Sequence, residues 1–87
     1  MARYELVFKK SVARDLRDMP QKDVARILRS FDSIAQDPRG PKCEKLSGQD
    51  RYRVRQGIYR ITYEIQDYVL VVTVLRVGHR RAVYKGN

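Results

Sequence analysis

Residues 52–63 read Tyr52-Arg53-Val54-Arg55-Gln56-Gly57-Ile58-Tyr59-Arg60-Ile61-Thr62-Tyr63, and apolar side chains alternate with polar ones on both sides of Gln56-Gly57. Period two marks a half-buried strand, with one face in a core and the other toward solvent. Two such runs around a glycine turn predict a β-hairpin. Its outer face is then a row of guanidinium groups. Centred on Gln56-Gly57, the hairpin sets Arg53 opposite Arg60. Like charges directly opposed are destabilising, so such a face is tolerable mainly where an anion sits on it.

Working outward, Arg3–Phe8 also alternates, with Tyr4, Leu6 and Phe8 on one face, and predicts a first strand. From Ser11 the period changes to helical. Val12, Ala13, Leu16 and Met19 form a short stripe with Ser11 as N-cap, and Pro20 suits the first turn of a second helix. Val24, Ile27, Leu28, Phe31, Ile34 and Ala35 continue at helical spacing until Asp37-Pro38-Arg39-Gly40-Pro41 stops the pattern. Lys42 to Asp50 reads as a polar connector. Strands follow at Tyr52–Arg55, Tyr59–Ile65 and Val69–Val77. The last is apolar on both faces, which predicts a central position between the first strand and Tyr59–Ile65. The expectation is an α+β domain of order β-α-α-β-β-β. It has a four-stranded antiparallel sheet with a helical hairpin on one face, and a core containing Leu6, Leu16, Ile27, Leu28, Phe31, Ile61 and Val71.

The chain has 87 residues, room for one small domain over 1–87 with a modest stability margin. It carries 19 basic and 10 acidic residues, a net charge of +9. Residues 1–38 contribute +2 and residues 39–87 contribute +7. An excess gathered on the C-terminal half points to a polyanion on one surface. Cys43 is the only cysteine and His79 the only histidine, so neither a disulfide nor a zinc site is expected. The sequence has no apolar run near the roughly 20 residues of a membrane span and no secretory segment. A reducing cytoplasm is the expected compartment.

The strands from Tyr52 onward hold one acidic residue, Glu64, read as a neighbour to a guanidinium, Arg76 included. The glycines are dispersed, so no phosphate loop is expected. What remains is Arg53, Arg55, Arg60, Arg76, Arg80 and Arg81 with His79 and several tyrosines. Guanidinium groups bind phosphate in the ground state and stabilise charge on a pentacovalent phosphorane. Tyrosine stacks on a base or takes part in proton transfer. The set suits metal-free RNA cleavage by the 2′-hydroxyl, and it suits RNA binding alone. Tyr52, Tyr59 and Tyr63 share the alternation of Val54 and Ile61 and read as core aromatics. Lys42, Lys45, Arg51, His79 and Arg81 read as RNA-docking residues.

At this point the motifs resemble a family. The β-α-α-β-β-β order, the Asp37-Pro38 helix stop and the Lys45-Leu46-Ser47-Gly48 turn resemble the RelE branch of the RelE/ParE toxin superfamily, small toxins of toxin–antitoxin pairs. So do Tyr52-Arg53-Val54-Arg55, Tyr59-Arg60-Ile61-Thr62-Tyr63 and Val77-Gly78-His79-Arg80-Arg81-Ala82-Val83-Tyr84. The resemblance implies a ribosome-dependent, metal-independent endoribonuclease that cuts mRNA in the A site. Its product ends would be a 2′,3′-cyclic phosphate and a 5′-hydroxyl, and it would need no cofactor. It implies catalytic roles for Arg53, Arg55, Arg60, Arg80 and Tyr84. The implied partners are a RelB-like antitoxin with an acidic amphipathic segment, the ribosome, rRNA and mRNA, with no membrane and a monomer when free. The best-known active site of the family has lysines where this chain has Arg53 and Arg55. Arginine does not deprotonate in proteins, so a general base falls to Tyr84 or His79. The ParE branch shares the fold and poisons DNA gyrase; Arg60, Arg80 and Tyr84 together favour the nuclease. A non-catalytic basic RNA-binding module is the third reading.

Overall fold

The hairpin at the centre of the sequence closes one residue later than its pattern suggests. In the computed structural model, which describes residues 3–46 and 50–79, Gln56 pairs with Tyr59 and the turn is Gly57-Ile58. Gly57 takes φ 59°, and a Cβ there would meet nothing within 4 Å. The demand for glycine is therefore dihedral rather than steric, as expected at the first position of a two-residue hairpin loop. The shift changes the cross-strand partners: Arg55, not Arg53, faces Arg60, and Arg53 faces Thr62.

The elements are β1 (Glu5–Phe8), α1 (Lys10–Arg17), α2 (Gln21–Gln36), β2 (Cys43–Lys45), β3 (Arg51–Gln56), β4 (Tyr59–Gln66) and β5 (Val71–His79). The α+β class and the helical hairpin are as expected. The sheet has five strands in the order β1-β5-β4-β3-β2, because the connector contains β2, paired antiparallel with β3. A three-residue strand is too short to leave a period in the sequence. The sheet is also not wholly antiparallel: β1 and β5 run parallel. The reason is the return path of α2. It delivers the chain to the starting end of β1, where the Tyr4 N–H donates to the Ala35 carbonyl at 2.9 Å. With β3 and β4 forming one reversal, β5 then travels in the direction of β1.

Both helices cover one face of the sheet. Val12 from α1 and Ile27, Phe31 and Ile34 from α2 pack on Tyr52, Val54, Tyr59, Ile61, Tyr63, Ile65, Val72, Val74 and Val77. Leu6 and Leu16 pack against this core while partly buried. Two expected core residues lie elsewhere. Leu28 is 52% exposed, since adjacent helical positions point about 100° apart and Ile27 takes the inward one. Val71 is half-buried, on the opposite parity to buried Val72. Ser11 is not the N-cap either; Lys9 occupies that position, and Pro20 caps α2 from just outside it.

A single extra residue on β5 decides which side chains share a face. Thr62 pairs with Arg76 but Tyr63 pairs with Val74, so Leu75 is a β-bulge. Val72 and Val74 point to the helices; strict alternation would send Arg76 after them. The bulge instead turns Arg76 out, exposed, and brings Val77 in, buried. Helix α1 holds this irregularity, because β1 has ended at Phe8 opposite Val74. The Ser11 hydroxyl donates to the Leu75 carbonyl at 2.8 Å, and the Val77 N–H donates to Asp15 Oδ2 at 2.8 Å.

The opposite end of the sheet is tied by a polar cluster. Arg39 donates both terminal nitrogens to Asp67, each at 2.9 Å. The Tyr4 hydroxyl donates to the same carboxylate at 2.7 Å, and the Arg39 guanidinium lies 5.2 Å from the centre of the Tyr52 ring. Tyr63, fully buried, donates to the Pro38 carbonyl at 2.7 Å, and burial pushes its phenol pKa well up. Bonding to Arg39, then to Tyr4, holds the Asp67 carboxyl at about 2.

Two outcomes follow. Asp15→Ala leaves the part-buried Val77 N–H without its acceptor and should cost about 1–3 kcal/mol, read by urea denaturation, with faster hydrogen exchange at the Val77 amide. For Asp67 the sign is that of a depressed carboxylate: its contribution is complete above about pH 4 and is lost as pH falls toward about 2. Asp67→Asn should therefore lower the melting temperature at pH 7, with the difference from wild type closing as the pH is lowered across that window.

Candidate nucleic-acid interface

The sheet face turned away from the helices carries the arginines. Each β3 residue with an outward side chain continues across β4 and β5 in a row. Arg51 lies opposite Glu64 and then Thr73; Arg53 opposite Thr62 and then Arg76; Arg55 opposite Arg60 and then Gly78. Strands lie about 4.8 Å apart and same-face residues about 7 Å apart along a strand. Five guanidinium groups are therefore rooted in a patch a few nucleotides wide. Gly78, itself buried, places no side chain beside Arg60.

The arginines differ in how they are held. Arg60 is 7% exposed, the one buried charged residue among the described residues. Arg53 is 24% exposed, with Nη2 donating to Glu44 Oε1 at 3.2 Å, while its Nε is buried without a hydrogen-bond partner among the described residues. Arg55 is 53% exposed, its Nε 3.8 Å from the same Glu44 oxygen. Arg51 pairs with Glu64 at 3.4 Å, so Glu64 serves Arg51 and not Arg76. Nothing in the sequence pattern singled out Glu44, because its facing position depends on the short strand β2.

The docking residues expected from the sequence do not gather in one place. Arg51 belongs to the arginine face. Lys45 pairs with Tyr52, which assigns it to the helix side of the sheet. Lys42 lines a groove of ≈ 550 Å³ with Arg26 and Arg29 of α2 and Val54 and Tyr63 of the sheet. His79 pairs with Tyr59 on the helix side, its ring edge-on to that tyrosine with centroids 5.5 Å apart. Tyr59 in turn donates to Asp23 Oδ2 of α2 at 2.9 Å; burial, then this bond, raises its phenol pKa. Tyr52, Tyr59 and Tyr63 are core aromatics, as their alternation indicates. Arg80, Arg81 and Tyr84 lie outside the described residues. Among the described residues no group of three or more His, Cys, Asp or Glu side chains is arranged to hold a metal ion, and no helix is long and apolar enough to cross a membrane.

This arrangement can hold an extended polyanion against the sheet, with Arg53 and Arg60 more deeply set and Arg55 and Arg76 exposed. Guanidinium donors suit phosphate oxygens through paired N–H bonds. Among the described residues the carboxylates set among the arginines, Glu44 and Glu64, are each engaged by an arginine, and the arginines do not titrate.

Comparison with known proteins fits this geometry. A family model described as the ParE toxin of type II toxin–antitoxin system, parDE, matches residues 6–84. Toxin RelG of Mycobacterium tuberculosis is 30% identical over 86 residues, which cover 94% of this chain and 97% of that protein. Among solved structures, the toxin–antitoxin complex RelBE2 from Mycobacterium tuberculosis superposes with a TM-score of 0.80 at 28% identity, covering 90% of this chain and 99% of that one. The archaeal RelE–RelB complex from Pyrococcus horikoshii OT3 gives 0.79 at 29% identity, covering 92% and 97%.

The direct opposition of Arg55 and Arg60 has a measurable consequence. Arg55→Gln removes a cross-strand repulsion and should raise stability slightly, by about 0.2–1 kcal/mol, while weakening the binding of a single-stranded oligonucleotide. Paired urea unfolding and fluorescence-anisotropy titrations read the two effects in opposite directions.

Proposed function

The chain belongs to the RelE/ParE family of type II toxin–antitoxin toxins, and from that premise we propose that it is a ribosome-dependent endoribonuclease cutting mRNA in the ribosomal A site. The observation that supports this reading is the face built from Arg53, Arg55, Arg60 and Arg76, which fits a phosphate backbone and not a small neutral substrate. In this reading Arg53 and Arg60 hold the scissile phosphate in line, Arg55 lies alongside, and Arg80 stabilises the charge that develops on the phosphorane. The 2′-hydroxyl attacks the adjacent phosphorus and the 5′-oxygen departs, leaving a 2′,3′-cyclic phosphate and a 5′-hydroxyl. Neither cofactor nor metal is required.

A base is needed for the 2′-hydroxyl, and arginine does not supply one. The seat of His79 against Tyr59, on the helix side, favours Tyr84. Lys42, Lys45, Arg51 and Arg81 contribute docking to rRNA through charge rather than chemistry. The solved relatives named above are complexes of RelE with RelB-type antitoxins, and the same kind of partner is assigned here. Its acidic amphipathic segment would cover the arginine face. Gyrase inhibition of the ParE kind is the second reading, favoured by the description of the family model itself.

The test is single-turnover cleavage on programmed ribosomes, with mRNA ends mapped, beside a gyrase supercoiling assay. Cleavage without gyrase inhibition is expected. Arg80→Ala should slow cleavage by on the order of a hundred- to a thousandfold, as for loss of a transition-state donor. Tyr84→Phe should slow it while ribosome binding persists. Loss of supercoiling with intact mRNA would transfer the protein to the gyrase class.

A further inference from the structure

Glu44 is the middle residue of a three-residue edge strand, and one of its oxygens serves two arginines of the proposed RNA face. Oε1 accepts from Arg53 Nη2 at 3.2 Å and lies 3.8 Å from Arg55 Nε. The pair is asymmetric in burial. Arg53 is 24% exposed and Glu44 is 51% exposed, so the carboxylate is the partner that leaves readily and the guanidinium the one that stays. Its hold is also incomplete. Nε and Nη2 form one edge of a guanidinium, the edge that takes a carboxylate or phosphate through two parallel bonds. Glu44 uses Nη2 alone, and Nε is buried with no hydrogen-bond partner among the described residues. Arg55, the second arginine it serves, is the one that faces Arg60 directly, where an anion offsets the repulsion between like charges.

We propose that Glu44 is a displaceable counter-anion: it stands in for an RNA phosphate on Arg53 and Arg55 in the free protein and must yield when RNA docks. The inference rests on the RNA reading of this face and deepens it with an affinity threshold. A carboxylate already seated on the cations weakens every RNA alike, so only a ligand with many other phosphate contacts still binds well. The ribosome offers many such contacts; a short free strand offers few. Ion pairs with a half-exposed partner of this type are weak, so the threshold is shallow and suits reversible docking.

The experiment measures binding of a single-stranded oligonucleotide of 2′-deoxynucleotides, which cannot be cleaved by 2′-hydroxyl attack. Fluorescence anisotropy over a range of salt concentrations compares wild type, Glu44→Gln and Glu44→Lys, with thermal melts confirming that each is folded. The expected result is a graded gain. Glu44→Gln should tighten binding by about threefold to fivefold, and Glu44→Lys further. The dependence of log K on log salt should steepen by about 0.7 at the first step, the value for one more phosphate on a single strand. Equal affinities and slopes across the three proteins would overturn the proposal, as would weaker binding by folded Glu44→Gln. Wild-type cleavage on programmed ribosomes is scored separately. If wild type binds the strand in the expected graded series yet cuts no mRNA, the nuclease reading fails and the counter-anion stands. If wild type cuts mRNA and the series is flat, the counter-anion fails and the nuclease stands. Absence of strand binding by all three proteins overturns the counter-anion whatever the cleavage result.

Discussion

The bulge at Leu75, pinned by two side chains of α1, is the constraint on which the arginine face depends. Without the extra residue, Arg76 would follow Val72 and Val74 into the core, where an unpaired guanidinium is costly. With it, Arg76 joins Arg53 across Thr62, and Val77 fills the space above Ile61. Ser11 and Asp15 lie four residues apart, so both reach the same strand edge from one helical face. They satisfy a carbonyl and an N–H that β1 is too short to meet. A helix that contributes one buried side chain, Val12, thus has a second task in fixing the course of β5 through residues 75–77.

The face carries more positive charge than its own interactions settle. On strands β2 to β5, two carboxylates, Glu44 and Glu64, stand against five arginines, and Arg55 opposes Arg60 without a residue between them. That strain is accommodated because the other face of the same strands is built from large buried groups. Tyr52 and Tyr63 stack with centroids 6.1 Å apart. Tyr63, Ile61, Val72 and Val74 are fully buried. Burial of such side chains yields on the order of 1.5–3 kcal/mol each, against a few tenths to one for a like-charge pair. The core therefore outweighs the repulsion, and the cost falls on a surface that an anion would relieve.

Much of this was legible in the sequence, and the limits were local. Alternation through 52–63 assigned faces correctly, because β3 and β4 are regular and only parity matters. The register missed because Gly57 occupies the first turn position rather than the second, which moved every partner by two and made Arg55, not Arg53, the neighbour of Arg60. Arg76 was ambiguous for a physical reason: a bulge has no sequence period, and its signal lay in Ser11 and Asp15, more than sixty residues away. The Arg39–Asp67 bond joins a helix stop to a strand turn, two segments that pattern reading treats as connectors. Glu44 stayed hidden because three residues cannot establish an alternation. The helical stripe of α2 was read as wider than it is, which is why Leu28 was expected in the core.

The choice of arginine on β3 shapes what the face can do in chemistry. A lysine there could shed its proton and change role with pH; Arg53 and Arg55 keep their charge throughout. The face is thus a constant electrostatic template, and any titration in the proposed reaction must come from outside it. His79, at the end of β5, lies edge-on to the buried Tyr59. A strand that ends in Val77-Gly78-His79 sends its last described side chain to the helix layer, away from the arginine face. In the proposed reaction phosphate binding then rests on the arginines of the sheet and proton transfer on a group that is not one of them, so the two functions would be separable by mutation.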